Sequence, residues 1–160
     1  MKKIKQIKKI IVAFIILLAV SGITAIPIDL QLNLILKFIP QNNILSNWLT
    51  KVLTAYETVK IQYPFLLYGY DWLAFAHIIL AILFYGPYKD PVKNIWVIQF
   101  GLIACTLVLP LAFVAGYFRN IPFWWQLIDS CFGIIGFAVL WICYKKILLL
   151  QKSQESIIKN

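Results

Sequence analysis

The chain is 160 residues long, with 62% hydrophobic, 16% aromatic and only 13% charged residues, and its mean hydropathy is +0.83. A soluble domain carries about 25% charged residues and cannot hide this much apolar surface, so a water-soluble globular domain and a disordered chain are both excluded. The net charge of +9 would point to nucleic acid in a soluble protein; here the placement of the lysines decides, and no nucleic-acid partner is expected.

The N-terminus carries Lys2, Lys3, Lys5, Lys8 and Lys9, followed by an apolar run over residues 10–28 that ends near Pro27. About 20 apolar residues cross roughly 30 Å of hydrocarbon, and this run is long enough. A cleavable signal has a shorter apolar region, roughly 7–15 residues, and a small-x-small cleavage site. Ser21-Gly22 is a poor match, so the segment reads as a retained signal anchor. Asp29 follows Ile-Pro-Ile and is expected to end the span or to join a group of polar residues at its outer end.

Residues 29–64 form a connection too long to be structureless in so small a chain. Ile44, Leu45, Trp48, Leu49, Val52, Leu53, Tyr56 and Val59 recur at helical spacing, with Asn47, Thr50, Lys51, Thr54, Glu57 and Thr58 opposite. Asn42 or Asn43 is placed to cap that helix. The pattern predicts an amphipathic helix on the extracytoplasmic side, either a plain cover or a lid over an outer-leaflet site. A shorter apolar helix is expected at about residues 30–38, ended by Pro40.

The second apolar run covers residues 65–85 and contains Asp71 and His77. Charged groups inside a span cost several kcal/mol and face the protein interior. Asp71 is close to the outer interface, where it could cap a helix. His77 lies about 9 Å deeper, on a stripe with Tyr70, Ala74 and Ala81 whose small residues admit a neighbouring helix.

The third run, residues 95–117, holds Gln99, Thr106 and Pro110, and Arg119, the chain's only arginine, follows it. Gln99 reads as an interhelical hydrogen-bonding group. The fourth run, residues 124–144, carries the stripe Gln126, Asp129, Gly133 and Gly136, which places a carboxylate on a face of small residues. Arginine pairs bidentately with carboxylates, so Arg119 with Asp129 or Asp71 is the expected compensation. Residues 145–160 read as a tail continuing the fourth helix. With four spans, eleven lysines fall on the side of both termini, against four basic residues on the other. Both termini are therefore expected in the cytoplasm.

These readings predict an all-α, polytopic fold: a single membrane domain over residues 1–160 with four transmembrane helices. Cys105, Cys131 and Cys143 fall inside the spans without metal-ligand spacing. With one histidine in the chain, no metal or other cofactor is expected.

The strings YPFLLYGYDWLAFAH, GPYKDPVKN and FRNIPFWWQLIDSCFG, with Thr24-Ala25-Ile26-Pro27 ending the first span, resemble a group of small four-span bacterial integral membrane proteins. The likeness covers most of residues 23–146. That group has no assigned activity, so the resemblance implies a location in the bacterial cytoplasmic membrane and transfers no functional residue. The architecture alone is similar to the EXPERA group, which includes sterol isomerases and holds lipid-like ligands among acidic residues; no motif aligns with it residue by residue.

Two functional expectations result. In the first, the chain is a non-catalytic or accessory subunit of the membrane, its polar residues hold the bundle together, and its partners are lipids and another membrane protein or a second copy. In the second, Asp71, His77, Arg119 and Asp129 line an outer-leaflet pocket for a lipid-like ligand, with His77 and a carboxylate handling a proton or binding a cation.

Overall fold

The computed structural model describes residues 2–26 and 28–158 of the backbone, and side chains over residues 4–26 and 28–153. Pro27 and Lys159 lie outside the described residues, as do the side chains of Lys2 and Lys3. Among the described residues there is no strand. The elements are α1 (Lys2–Thr24), α2 (Ile28–Phe38), α3 (Ile44–Gln62), a 3₁₀ turn at Pro64–Leu67, α4 (Tyr68–Leu83), α5 (Tyr85–Lys89), α6 (Ile95–Phe118) and α7 (Phe123–Ile158). Four segments are long and apolar enough to cross a membrane: Ile4–Thr24, Pro64–Lys89, Ile95–Phe118 and Phe123–Ser153. The all-α fold with four such helices is the one expected from the apolar runs.

The first helix ends at Thr24, short of the apolar run that predicted it. The Ala25 N–H turns back to the Gly22 carbonyl at 3.2 Å, and the Thr24 hydroxyl donates to the Val20 carbonyl at 2.8 Å. The Gln31 side chain donates to the Thr24 carbonyl, closing the helix end from α2. Asp29 therefore opens α2 where the sequence placed it at the end of the first span. The α3 start follows from local chemistry. Asn43 accepts the Ser46 N–H at 2.7 Å, and Ser46 Oγ accepts the Asn43 N–H at 3.1 Å. This reciprocal box satisfies two orphan donors. Asn42 sits in the left-handed region, φ 67°, which asparagine tolerates.

Contacts divide the chain into two compact units, Met1–Ile16 with Ala81–Asn160, and Leu17–Leu80. In the larger unit, α6 and α7 pair antiparallel through glycines. A Cβ on Gly133 would lie 2.7 Å from the Cys105 carbonyl oxygen, one on Gly116 would lie 2.5 Å from Gln126 Cδ, and one on Gly101 would lie 2.7 Å from Leu140 Cδ1. Missing side chains let the backbones approach closely, which is how helices associate in lipid. Ile7, Ile11, Ile98, Leu140, Cys143 and Ile147 are fully buried in this unit.

The α6–α7 connection is set by Asn120, whose φ is 54°. The Asn120 N–H donates to the Tyr117 carbonyl and the Ile121 N–H to the Gly116 carbonyl, at 3.3 and 2.9 Å. This is a Schellman closure with asparagine in the left-handed position. Pro110 lies inside α6 and leaves the Thr106 carbonyl without its usual backbone donor.

In the smaller unit, Leu32 of α2 and Ser46 and Leu49 of α3 are buried, as is Ala74 of α4. A Cβ on Gly22 would meet the Ala74 carbonyl oxygen at 2.8 Å and His77 Cβ at 3.0 Å. The C-terminal part of α1 thus lies against the small-residue stripe of α4.

Candidate functional site

The four residues singled out as ligand-binding candidates fall in both units: Asp71 and His77 in the smaller, Arg119 and Asp129 in the larger. Asp71 is exposed in the first turn of α4, where a negative charge suits the positive end of the helix dipole. His77 is half-buried, and its Nδ1 lies 2.8 Å from the Leu73 carbonyl oxygen of its own helix. A carbonyl only accepts, so Nδ1 carries the proton. In the neutral ring Nε2 is then the free acceptor.

Arg119 closes α6 as its C-cap, and its side chain is exposed. Asp129 is half-buried on α7, about 9 Å along the helix from Phe123. The ion pair expected between Arg119 and Asp129 is not formed; among the described residues neither side chain has a hydrogen bond or a charge partner. Arg119 stands at the end of α6, while Asp129 sits well inside α7.

The polar groups proposed as structural do have partners. Gln126 is buried and donates from Nε2 to the Ile121 carbonyl at 2.8 Å. Gln99 donates to the Tyr144 hydroxyl at 3.4 Å, a contact between α6 and α7. Asp29 pairs with Lys60, Oδ2 to Nζ, at 2.6 Å. That is the single ion pair among the described residues, and it ties α2 to the last turn of α3.

Sequence reasoning missed Lys60, whose partner lies 31 residues away. It also missed Ser130, buried with its hydroxyl donated to the Gln126 carbonyl at 2.8 Å. An open groove of about 710 Å³ at the α6–α7 connection was not foreseen either. Phe113, Tyr117, Asn120, Phe123 and Gln126 are among its lining residues, and Asp129 is not. Its walls come from the aromatic ends of two helices, and the signal lay in their clustering around Arg119-Asn120. Among the described residues, no group of three or more His, Cys, Asp or Glu is arranged to hold a metal.

The Asp29–Lys60 contact has a pH signature. The hydrogen bond from Lys60 lowers the Asp29 pKa below its ordinary 3.8, and the same bond raises Lys60 above 10.5. A lowered carboxylate contributes stability above its unfolded value and loses it as pH falls through the folded one. A raised ammonium contributes below its unfolded value and loses it as pH rises through the folded one. The thermal midpoint of wild type should therefore exceed that of Asp29→Asn by a small constant margin between about pH 5 and pH 9. The margin should narrow as pH falls below the ordinary carboxylate value of 3.8, and a margin that does not narrow at all in acid would contradict the assignment. Both groups are partly exposed, so the margin should also shrink in high salt.

No protein-family model matches the chain, and no curated protein and no solved structure is similar to it.

Proposed function

We propose that the chain is a multi-pass protein of the bacterial cytoplasmic membrane, with both termini cytoplasmic, acting as a non-catalytic accessory or assembly subunit. The supporting observation is how the polar side chains inside the apolar helices are used. Thr106 donates to the Leu102 carbonyl, Ser130 to the Gln126 carbonyl, His77 to the Leu73 carbonyl and Gln126 to the Ile121 carbonyl. Each returns to a backbone nearby in sequence, as structural groups in lipid do. The lysine asymmetry supports the orientation, with α2 and α3 as an amphipathic cover on the outer side. The likeness to small four-span bacterial membrane proteins supports the location.

Asp129 favours a second reading. A half-buried carboxylate with no described partner is costly in a span, and a lipid-like ligand or a partner helix would compensate it. The two readings separate in one experiment on Asp129→Asn. In the subunit reading, recovery of the partner chain after gentle solubilisation falls about tenfold, which equals about 1.4 kcal/mol of lost association. In the ligand reading, the variant folds and assembles normally but native mass spectrometry shows a bound small molecule lost. Unchanged recovery together with the loss of a bound molecule would overturn the accessory role.

A further inference from the structure

From the larger unit we infer that the lysine-rich end formed by α1, α5 and α7 is a binding surface for the phosphate headgroups of anionic phospholipids. Lys5, Lys8 and Lys9 of α1, Lys89 of α5, and Lys145 and Lys146 of α7 are far apart in sequence, yet contacts bring their helices to one end. Lys146 Nζ donates to Gln6 Oε1 at 3.1 Å, which joins α7 to α1. Lys8 Nζ lies 5.1 Å from the centre of the Tyr88 ring, which joins α1 to α5. Beneath these contacts Ile7, Ile11, Phe84 and Ile147 are buried, so the ammonium groups project from a packed base.

Two observations select the occupant. Among the described residues none of these lysines is ion-paired; the Asp90 carboxylate, next to Lys89 in sequence, accepts the Lys93 backbone N–H at 3.1 Å and forms no ion pair with them. Six cations are left for an anion outside the chain. The depth is set by exposed aromatic rings: Tyr85, Trp96 and Trp141 belong to the same end, and Lys145 lies 4.8 Å from the Trp141 ring centre. Such rings sit at headgroup level, which puts the lysines beside lipid phosphates and within the range where anionic headgroups attract them. The inference needs the helices to cross a bilayer; it does not depend on the accessory role.

The test is native mass spectrometry of the full chain released from nanodiscs of phosphatidylcholine with one quarter phosphatidylglycerol. Discs expose both faces, so orientation does not enter. Wild type should retain phosphatidylglycerol in preference to phosphatidylcholine, and retention should fall as salt rises. Lys5→Gln/Lys9→Gln/Lys145→Gln should reduce retention roughly fivefold for each lysine removed, while Lys37→Gln, on α2, should leave it unchanged. The single Lys145→Gln variant keeps the comparison available if the triple variant does not fold. Equal retention of the two lipids, indifference to salt, or displacement of the lipid by a copurifying acidic protein or RNA would each overturn the inference.

Discussion

Gly133→Ala should lower the thermal midpoint of the detergent-solubilised protein by several degrees, corresponding to about 1–3 kcal/mol of overpacking. The added methyl group would lie 2.7 Å from the Cys105 carbonyl oxygen and 3.0 Å from Val108 Cβ. The first of these is backbone and cannot swing aside, so α6 and α7 must move apart along the register they share. Separation forfeits dispersion contacts over the whole pair, the main attraction between helices where lipid is as apolar as the core. Gly69→Ala is the matched control. Nothing lies within 4 Å of a Cβ there, and alanine is the better helix former. Tryptophan fluorescence during heating reads both variants. A Gly133→Ala midpoint equal to that of Gly69→Ala would show that the helices do not pack this closely.

Phe84→Ala should cost roughly 3 kcal/mol, at the lower end for a buried phenylalanine because lipid removes part of the usual transfer term. Phe84 joins α4 to α5 and is 2% exposed. Its ring centre is 4.8 Å from that of Phe14, and its Cζ fills the space left by Gly101, 2.9 Å from where a Cβ would stand. Truncation opens a gap bordered by two helices. Phe84→Leu should recover part of the loss. A double-mutant cycle with Phe14→Ala should return a coupling of about 0.5–1.5 kcal/mol. A coupling near zero would mean that the two rings are neighbours without being energetic partners.

What the sequence revealed depended on the range of the interaction. The four apolar helices follow from runs of residues, and α3 follows from its spacing and the asparagines before it. The faces that carry Gly133 and Gly136, or Ala74 and Ala81, were visible because small side chains at helical intervals have one use in lipid. The end of α1 was legible to within a few residues from Thr24-Ala25-Ile26-Pro27, but not its exact place, since Ala25 and Ile26 are as apolar as the helix they follow and the stop is a backbone turn aided by Gln31 from the next element. Asp29 was legible as a polar residue, but its partner Lys60 is set by how α2 folds back on α3. For the candidate site, each polar residue stood out singly. The expected Arg119–Asp129 pair rested on nearness in sequence, whereas Arg119 ends α6 and Asp129 lies about 9 Å into α7. The division of the chain cuts through α1 and α4, where composition does not change.

Helix α7 runs without a break from Phe123 to Ile158, about 54 Å at 1.5 Å per residue and well beyond the roughly 30 Å of a hydrocarbon layer. It contains no proline, the commonest cause of a sharp kink. The segment past Tyr144 therefore continues, without a break in the helix, the same element that carries Asp129, and reaches beyond the hydrocarbon layer.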